Sequence, residues 1–170
     1  MHLNGTKIFL RTVLPSDTDN LHQWENDRSI WPVSGTTKLF TKKEIEDFIS
    51  DSQKDIYSTQ QLRFMIILSE SPDKKTEYPV GCIDLFDFDE QHRRAGVGVL
   101  IAEEKERNKG YASEALKLLI RYSFEKLFLR ELYCTIHSNN TDSLQLFLRN
   151  KFTITEKLSE NKYFLQLLNK

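Results

Sequence analysis

An apolar run ending at Ile101, a basic glycine turn Arg107-Asn108-Lys109-Gly110-Tyr111-Ala112, and a helical stretch lead to a second β-rich run, Leu132-Ile136. This succession constrains the fold more than any other feature. Ala112, Ala115, Leu116 and Leu119 recur at i, i+3, i+4 and i+7, so the intervening segment is a helix with one apolar face. A helix of that length between two strands is a right-handed crossover to a parallel strand. The turn itself has the chemistry of an anion cradle. Gly110 lets the backbone approach a bulky anion, and the helix that follows offers unpaired N–H groups and the positive end of its dipole. Arg107 and Lys109 add charge beside it.

Two phosphate-binding patterns are excluded by the letters. A P-loop needs a glycine, four intervening residues and then Gly-Lys-Ser/Thr, whereas Gly110 is followed by Tyr111-Ala112. The dinucleotide fingerprint needs a third glycine, and Gly96-Val97-Gly98 runs on to Leu100-Ile101. What remains is Arg/Gln-x-x-Gly-x-Gly/Ala, which resembles the acyl-CoA-binding loop of the GNAT superfamily of N-acetyltransferases. A second segment at the right distance strengthens the resemblance. Members commonly read Asn-x-x-Ser-x-x-Leu-Tyr-x-Lys-x-Gly-Phe after the strand that follows the crossover helix. This chain reads Asn140-x-x-Ser143-x-x-Leu146-Phe147 and onward to Lys151-Phe152. The resemblance covers Val80 to Phe152 well, and the spermidine and ribosomal-protein alanine acetyltransferases are the branch it points to.

The rest of the chain fits one domain over residues 1–170. With 39% hydrophobic residues it can bury a single substantial core. Lys7 to Arg11 alternates as an opening strand. Pro15-Ser16-Asp17 announces a helix with Leu21 and Trp24 on its apolar face, and Pro32 and Gly35 break up Arg28 to Phe40. Thr41 and Glu44 form a capping box for a helix carrying Ile45, Phe48 and Ile49. Arg63 to Ser69, Val80 to Phe86 and Ala95 to Ile101 make an antiparallel meander, turning at Pro72-Asp73-Lys74-Lys75 and at Asp89-Glu90-Gln91-His92. A helix over Thr141 to Asn150, a short run from Phe152 to Thr155 and a strand over Tyr163 to Leu168 close the sheet. The expected architecture is α/β: a mixed, mostly antiparallel sheet with one parallel crossover and helices on both faces. The resemblance implies a V-shaped splay between the strand ending at Ile101 and the strand Leu132-Ile136.

A net charge of −1 gives no electrostatic case for nucleic acid or an anionic membrane as partner. No apolar stretch has the length of a membrane span, and Met1-His2-Leu3-Asn4-Gly5 lacks the start of a signal peptide, so the expectation is a cytoplasmic protein. Cys82 and Cys134 make neither a disulfide framework nor a zinc site, and no metal is expected. Edge strands near the C-terminus allow a homo-oligomer.

The resemblance implies acetyl-CoA as the acyl donor. Its diphosphate would meet Arg107, Asn108, Lys109, Gly110, Tyr111 and Ala112. Its pantetheine amides would pair with the free backbone of Val99, Leu100 and Ile101, with the thioester oxyanion held by N–H groups near Val99. Asn140 and Phe147 would complete the donor site. Phe147 stands where many relatives place a proton-donating tyrosine, so Tyr133 or Ser143 becomes the candidate donor to the CoA thiolate. Gly96 stands where alanine-acetylating relatives carry a glutamate, which leaves Asp84 as the candidate group for the attacking amine. Strand alternation puts Asp84 and Phe86 on one face and Leu85 and Asp87 on the other, with Asp87 and Asp89 expected to pair with Arg93 and Arg94. Glu25 and Trp31, in the first helical region, are candidates for binding the acceptor. Acetyl transfer to a primary amine is the leading reading, with a polyamine such as spermidine ahead of a protein N-terminus. A non-catalytic acyl-CoA-binding module and an interaction domain without cofactor stay open beside it.

Overall fold

The computed structural model describes residues 1–34, 36–70 and 77–169. Eight strands form one sheet: β1 (His2–Asn4), β2 (Ile8–Thr12), β3 (Leu62–Leu68), β4 (Pro79–Asp89), β5 (Arg94–Ile101), β6 (Glu131–His137), β7 (Thr153–Ser159) and β8 (Lys162–Leu168). Their order is β1-β2-β3-β4-β5-β6-β8-β7. Every neighbouring pair is antiparallel except β5 and β6, which run parallel as the crossover requires. The helices are α1 (Thr18–Glu25), α2 (Trp31–Ser34), α3 (Lys42–Asp51), α4 (Ile56–Thr59), α5 (Tyr111–Glu125) and α6 (Thr141–Arg149). Among the described residues no helix is long and apolar enough to cross a membrane.

The period-2 alternation of the strands separates two cores. One face carries Ile8, Leu10, Phe64, Ile66, Ile83, Leu85, Val97 and Leu132, covered by α5 through Ala115, Leu116 and Leu119 and by α6 through Phe147. The other face carries Met65 and Ile67, covered by Leu21 and Trp24 of α1 and Ile45 and Ile49 of α3. The α3 start follows from its capping box. Thr41 Oγ1 accepts from Glu44 N at 3.2 Å, and Glu44 Oε2 accepts from Thr41 N at 2.7 Å.

Several expectations are corrected. The stretch Arg28 to Phe40 is not wholly irregular, because α2 forms with Pro32 in its first turn, where a missing N–H costs no helical bond. Gly35 and the turn Pro72-Asp73-Lys74-Lys75 lie outside the described residues. The three-residue β1 precedes the opening strand and pairs His2–Asn4 with Phe9–Arg11. Strand β7 is longer and later than Phe152 to Thr155, since Phe152 is buried edge-on against Phe147 with ring centres 4.9 Å apart. Strict alternation fails at Asp87, whose φ of 47° accompanies a register shift between Phe86 and Asp89. That bulge turns the Asp87 carboxylate toward Tyr133, 3.5 Å from its Oη, on the face that also carries Phe86. Nor do Arg93 and Arg94 hold the hairpin carboxylates. Asp89 binds His92 N at 2.9 Å, Arg93 donates to Phe128 O, and Arg94 lies over the Tyr133 ring at 5.0 Å.

Candidate functional site

Parallel pairing between β5 and β6 covers only Arg94–Gly96 against Glu131–Tyr133. Beyond Gly96 the strands part, and β6 remains paired to β8 all the way to His137. Among the described residues, the β5 edge from Val97 to Ile101 therefore has no strand beside it on that side. A cleft of about 100 Å3 opens there, lined by Val97, Val99, Ile136, Asn140, Ser143 and Phe147 among others. Helix α6 closes its far wall. Asn140 caps that helix by accepting from Ser143 N at 3.2 Å. Phe147 is 3% exposed and belongs to the core as much as to the cleft. Cys134 also reaches the cleft, but burial pushes its thiol up to about 12, far from the thiolate a nucleophile needs.

The basic glycine turn follows the end of β5. Gly110 takes φ +90° as the residue before α5, and Asn108 takes φ 62°, so the chain doubles back into the helix. The glycine serves that angle and not clearance, since a Cβ there would meet nothing closer than Lys7 Nζ at 3.7 Å. Among the described residues, the N–H groups of Tyr111, Ala112 and Ser113 find no acceptor in the chain. They are the open donors of a fifteen-residue helix and form the positive end of its dipole. The two basic side chains are exposed but tethered to the chain. Arg107 Nε donates to Ile101 O at 3.0 Å, and its Nη2 donates to Ala102 O at 3.3 Å. Lys109 Nζ lies 2.9 Å from Glu106 Oε2, which raises the lysine pKa. A third cation joins them, because Lys7 Nζ donates to Lys109 O at 3.2 Å. In the sequence Lys7 is only a strand residue; no local signal links it to a loop a hundred positions away.

Asp84 lies opposite Gly98 across the β4–β5 ladder, on the α1–α3 side of the sheet. Both its oxygens are taken by Arg63: Nε to Oδ1 at 2.7 Å and Nη2 to Oδ2 at 2.9 Å. Arg63 Nη1 also donates to Glu25 Oε1 at 2.9 Å, and the ring of Phe48 lies 4.8 Å from the guanidinium. The two carboxylates and the guanidinium are each less than a quarter exposed. Their combined charge raises the Arg63 pKa well above its usual value despite burial. Trp31 Nε1 donates to Glu25 O at 2.9 Å, so the structure brings Glu25, Trp31 and Asp84 together. Arg63 is a site residue that the sequence does not single out. A single charge opening an otherwise apolar strand was the available signal.

Tyr133 does not line the cleft with Ser143; it points to the opposite face of β6 from Cys134 and stacks on Phe164 at 5.5 Å. Burial and the Asp87 charge raise its pKa. Phe86 packs edge-on against it at 6.2 Å and fills the space over Gly96; a Cβ on Gly96 would come 2.3 Å from the Phe86 ring. The room that a side chain at position 96 needs is thus occupied by an aromatic ring. Val99 lines the cleft, whereas Leu100 packs among the α1–α3 core and Ile101 offers its carbonyl to Arg107. A larger, open and polar depression of about 350 Å3 lies elsewhere, at the β4–β5 hairpin beside Tyr57 and Asp87.

Comparison with known proteins matches residues 7–153 to an acetyltransferase (GNAT) domain. A curated N-acetyltransferase 9-like protein of Caenorhabditis briggsae is 28% identical over 138 residues, 78% of this chain and 67% of that protein. The spermidine N(1)-acetyltransferase of Escherichia coli is 26% identical over 154 residues, 89% of this chain and 75% of the enzyme. Among solved structures, a spermidine N-acetyltransferase from Vibrio cholerae in complex with CoA and spermine superposes with a TM-score of 0.84, covering 96% of each chain at 20% identity.

Proposed function

Because the chain belongs to the acetyltransferase (GNAT) domain family and is an N-acetyltransferase, we propose that it moves acetyl from acetyl-CoA directly onto a primary amine, with a polyamine as acceptor. The observation that carries this reading is the unpaired β5 edge above the cleft, running into the open N–H groups of α5. A CoA diphosphate needs donors and positive charge, which residues 107–113 and Lys7 supply. A pantetheine arm needs backbone partners along a strand, which the free edge at Val99 supplies. The thioester then lies where β5 N–H groups face the developing oxyanion.

The acceptor approaches from the α1–α3 side past Gly98, where the missing side chain leaves access between Asp84 and the cleft. Asp84 and Glu25 orient the ammonium with the lone pairs that Arg63 does not use. Asp84 takes the amine proton, directly or across one water, and the Ser143 hydroxyl at the cleft hydrogen-bonds the departing thiolate, which leaves as the thiolate or takes its proton from water. No covalent acyl-enzyme is needed, because the amine attacks in a ternary complex. Arg63 leaves this acidic pair with one net negative charge, which suits the single ammonium of a peptide N-terminus as a second reading.

The test is release of CoA thiol from acetyl-CoA with spermidine, spermine, amino acids, aminoglycosides and N-terminal peptides, each against a blank without acceptor. Release with the polyamines is the expected result. Release with peptides alone moves the acceptor to protein N-termini, and acetyl-CoA binding without release from any amine overturns the catalytic reading.

A further inference from the structure

Asn150, at the end of α6, is 6% exposed and has a buried Oδ1 without a hydrogen-bond partner among the described residues. Its amide is nevertheless oriented without ambiguity. Nδ2 donates to Leu146 O at 2.8 Å, so exchanging the two amide ends would set oxygen against oxygen at that distance. The second Nδ2 hydrogen goes to Ser113 Oγ at 3.2 Å, in the first turn of α5. An amide nitrogen only donates, so Ser113 Oγ accepts here and its own hydrogen is left to point elsewhere. No acceptor for that hydrogen exists among the described residues. A helical side chain leans toward the N-terminus of its helix, which carries Ser113 Oγ toward the same opening as the free N–H groups of Tyr111, Ala112 and Ser113.

We propose that Asn150 is a positioning residue for the donor site: by occupying the acceptor side of Ser113 Oγ it turns the Ser113 hydroxyl hydrogen onto the diphosphate of the bound acyl donor. The inference rests on the acetyl-CoA reading above. It explains why the fold keeps an unpaired buried oxygen that a flipped amide or an apolar side chain would remove. It also ties the two helices that flank the cleft, since Asn150 ends the helix that Asn140 begins. Neither Ser113 nor Asn150 stands out in the sequence as a site residue.

The experiment compares a donor that carries the diphosphate, acetyl-CoA, with one that lacks it, S-acetylpantetheine. Ser113→Ala is expected to weaken acetyl-CoA binding by about ten- to a hundredfold, the size of one hydrogen bond to a charged group, and to lower kcat/KM for S-acetylpantetheine far less. Ser113→Thr keeps the hydroxyl and is expected to restore affinity. Asn150→Leu should reproduce most of the Ser113→Ala loss, and the double variant should lose no more than Ser113→Ala alone. Equal affinity of Ser113→Ala and the unaltered protein overturns the inference, as does an equal loss for both donors. If the unaltered protein does not bind acetyl-CoA, the donor reading falls and this inference with it; binding that is indifferent to Ser113 leaves the donor reading standing.

Discussion

Gly96 and Phe86 offer the sharpest test of how this site is built. The two residues face each other across the β4–β5 ladder, and a Cβ on Gly96 would lie 2.3, 2.5 and 2.7 Å from three atoms of the Phe86 ring. Ordinary contact begins near 3.4 Å, so Gly96→Ala forces the ring to move by about 1 Å. The ring is not free to do so cheaply, because its edge contact with Tyr133 at 6.2 Å is backed by Phe164 at 5.5 Å and by Arg94 at 5.0 Å. Overpacking of this kind costs about 1–3 kcal/mol. In a chain of this length each kcal/mol lowers Tm by roughly 2–4 °C. In a Phe86→Ala background the obstruction is gone, and Gly96→Ala should become neutral or stabilising by up to about 1 kcal/mol, as expected for removing a glycine from a strand. Thermal melts of the four proteins give the coupling directly, with an expected value of about 1–4 kcal/mol. A Gly96→Ala protein melting within about 1 °C of the parent, or losing the same stability in both backgrounds, refutes the claim that Phe86 owns this space. The consequence for function follows: Gly96→Glu should fold well only together with Phe86→Ala.

Arg63→Met should cost about 3–5 kcal/mol in urea unfolding, because Asp84 and Glu25 lose the donor they share while still largely buried; a loss below about 1 kcal/mol would show that the pair is solvated and energetically idle. Glu44 provides the pH test. Lys38 and the Thr41 donors hold its carboxyl at about 2, below the ordinary 4.5. Its contribution to the α3 cap is therefore complete above about 4.5 and lost as pH falls toward about 2. NMR titration of the Glu44 side chain should place the midpoint near the lower value, and a midpoint near the ordinary one rejects the capping geometry. Burial pushes both Cys82 and Cys134 up to about 12. Neither should react with a disulfide reagent at pH 8 until the protein is unfolded; rapid labelling of the native protein would contradict their placement in the core.

Much of the fold was legible because the signals that specify it are local. A capping box spans three residues, an amphipathic helix repeats within four, and a glycine at positive φ marks the turn where it sits. Hence α3 begins at its Thr-x-x-Glu box, α5 begins after Gly110, and Asn140 caps α6. The parallel crossover followed from a helix lying between two strands. Asp87 is the exception within a strand. Alternation assigned it to one face, and a bulge, which carries no distinctive residue type here, turned it to the other.

The site divides along the same line. By itself the sequence determined a donor side: a basic glycine turn opening a helix, a strand before it, and an Asn-capped helix after the next strand, all within one continuous stretch of chain. Only the tertiary structure decided what the side chains in and around that stretch do. It turned Arg107 back onto the end of β5 and brought Lys7 to Lys109. It gave Asp84 and Glu25 a shared guanidinium from a third segment, filled the place above Gly96 with Phe86, and linked Asn150 to Ser113. The physical reason is reach. Backbone conformation is chosen by neighbours a few residues away, whereas an ion pair, a ring's clearance or the direction of a hydroxyl depends on groups that meet only after the sheet and its helices have packed.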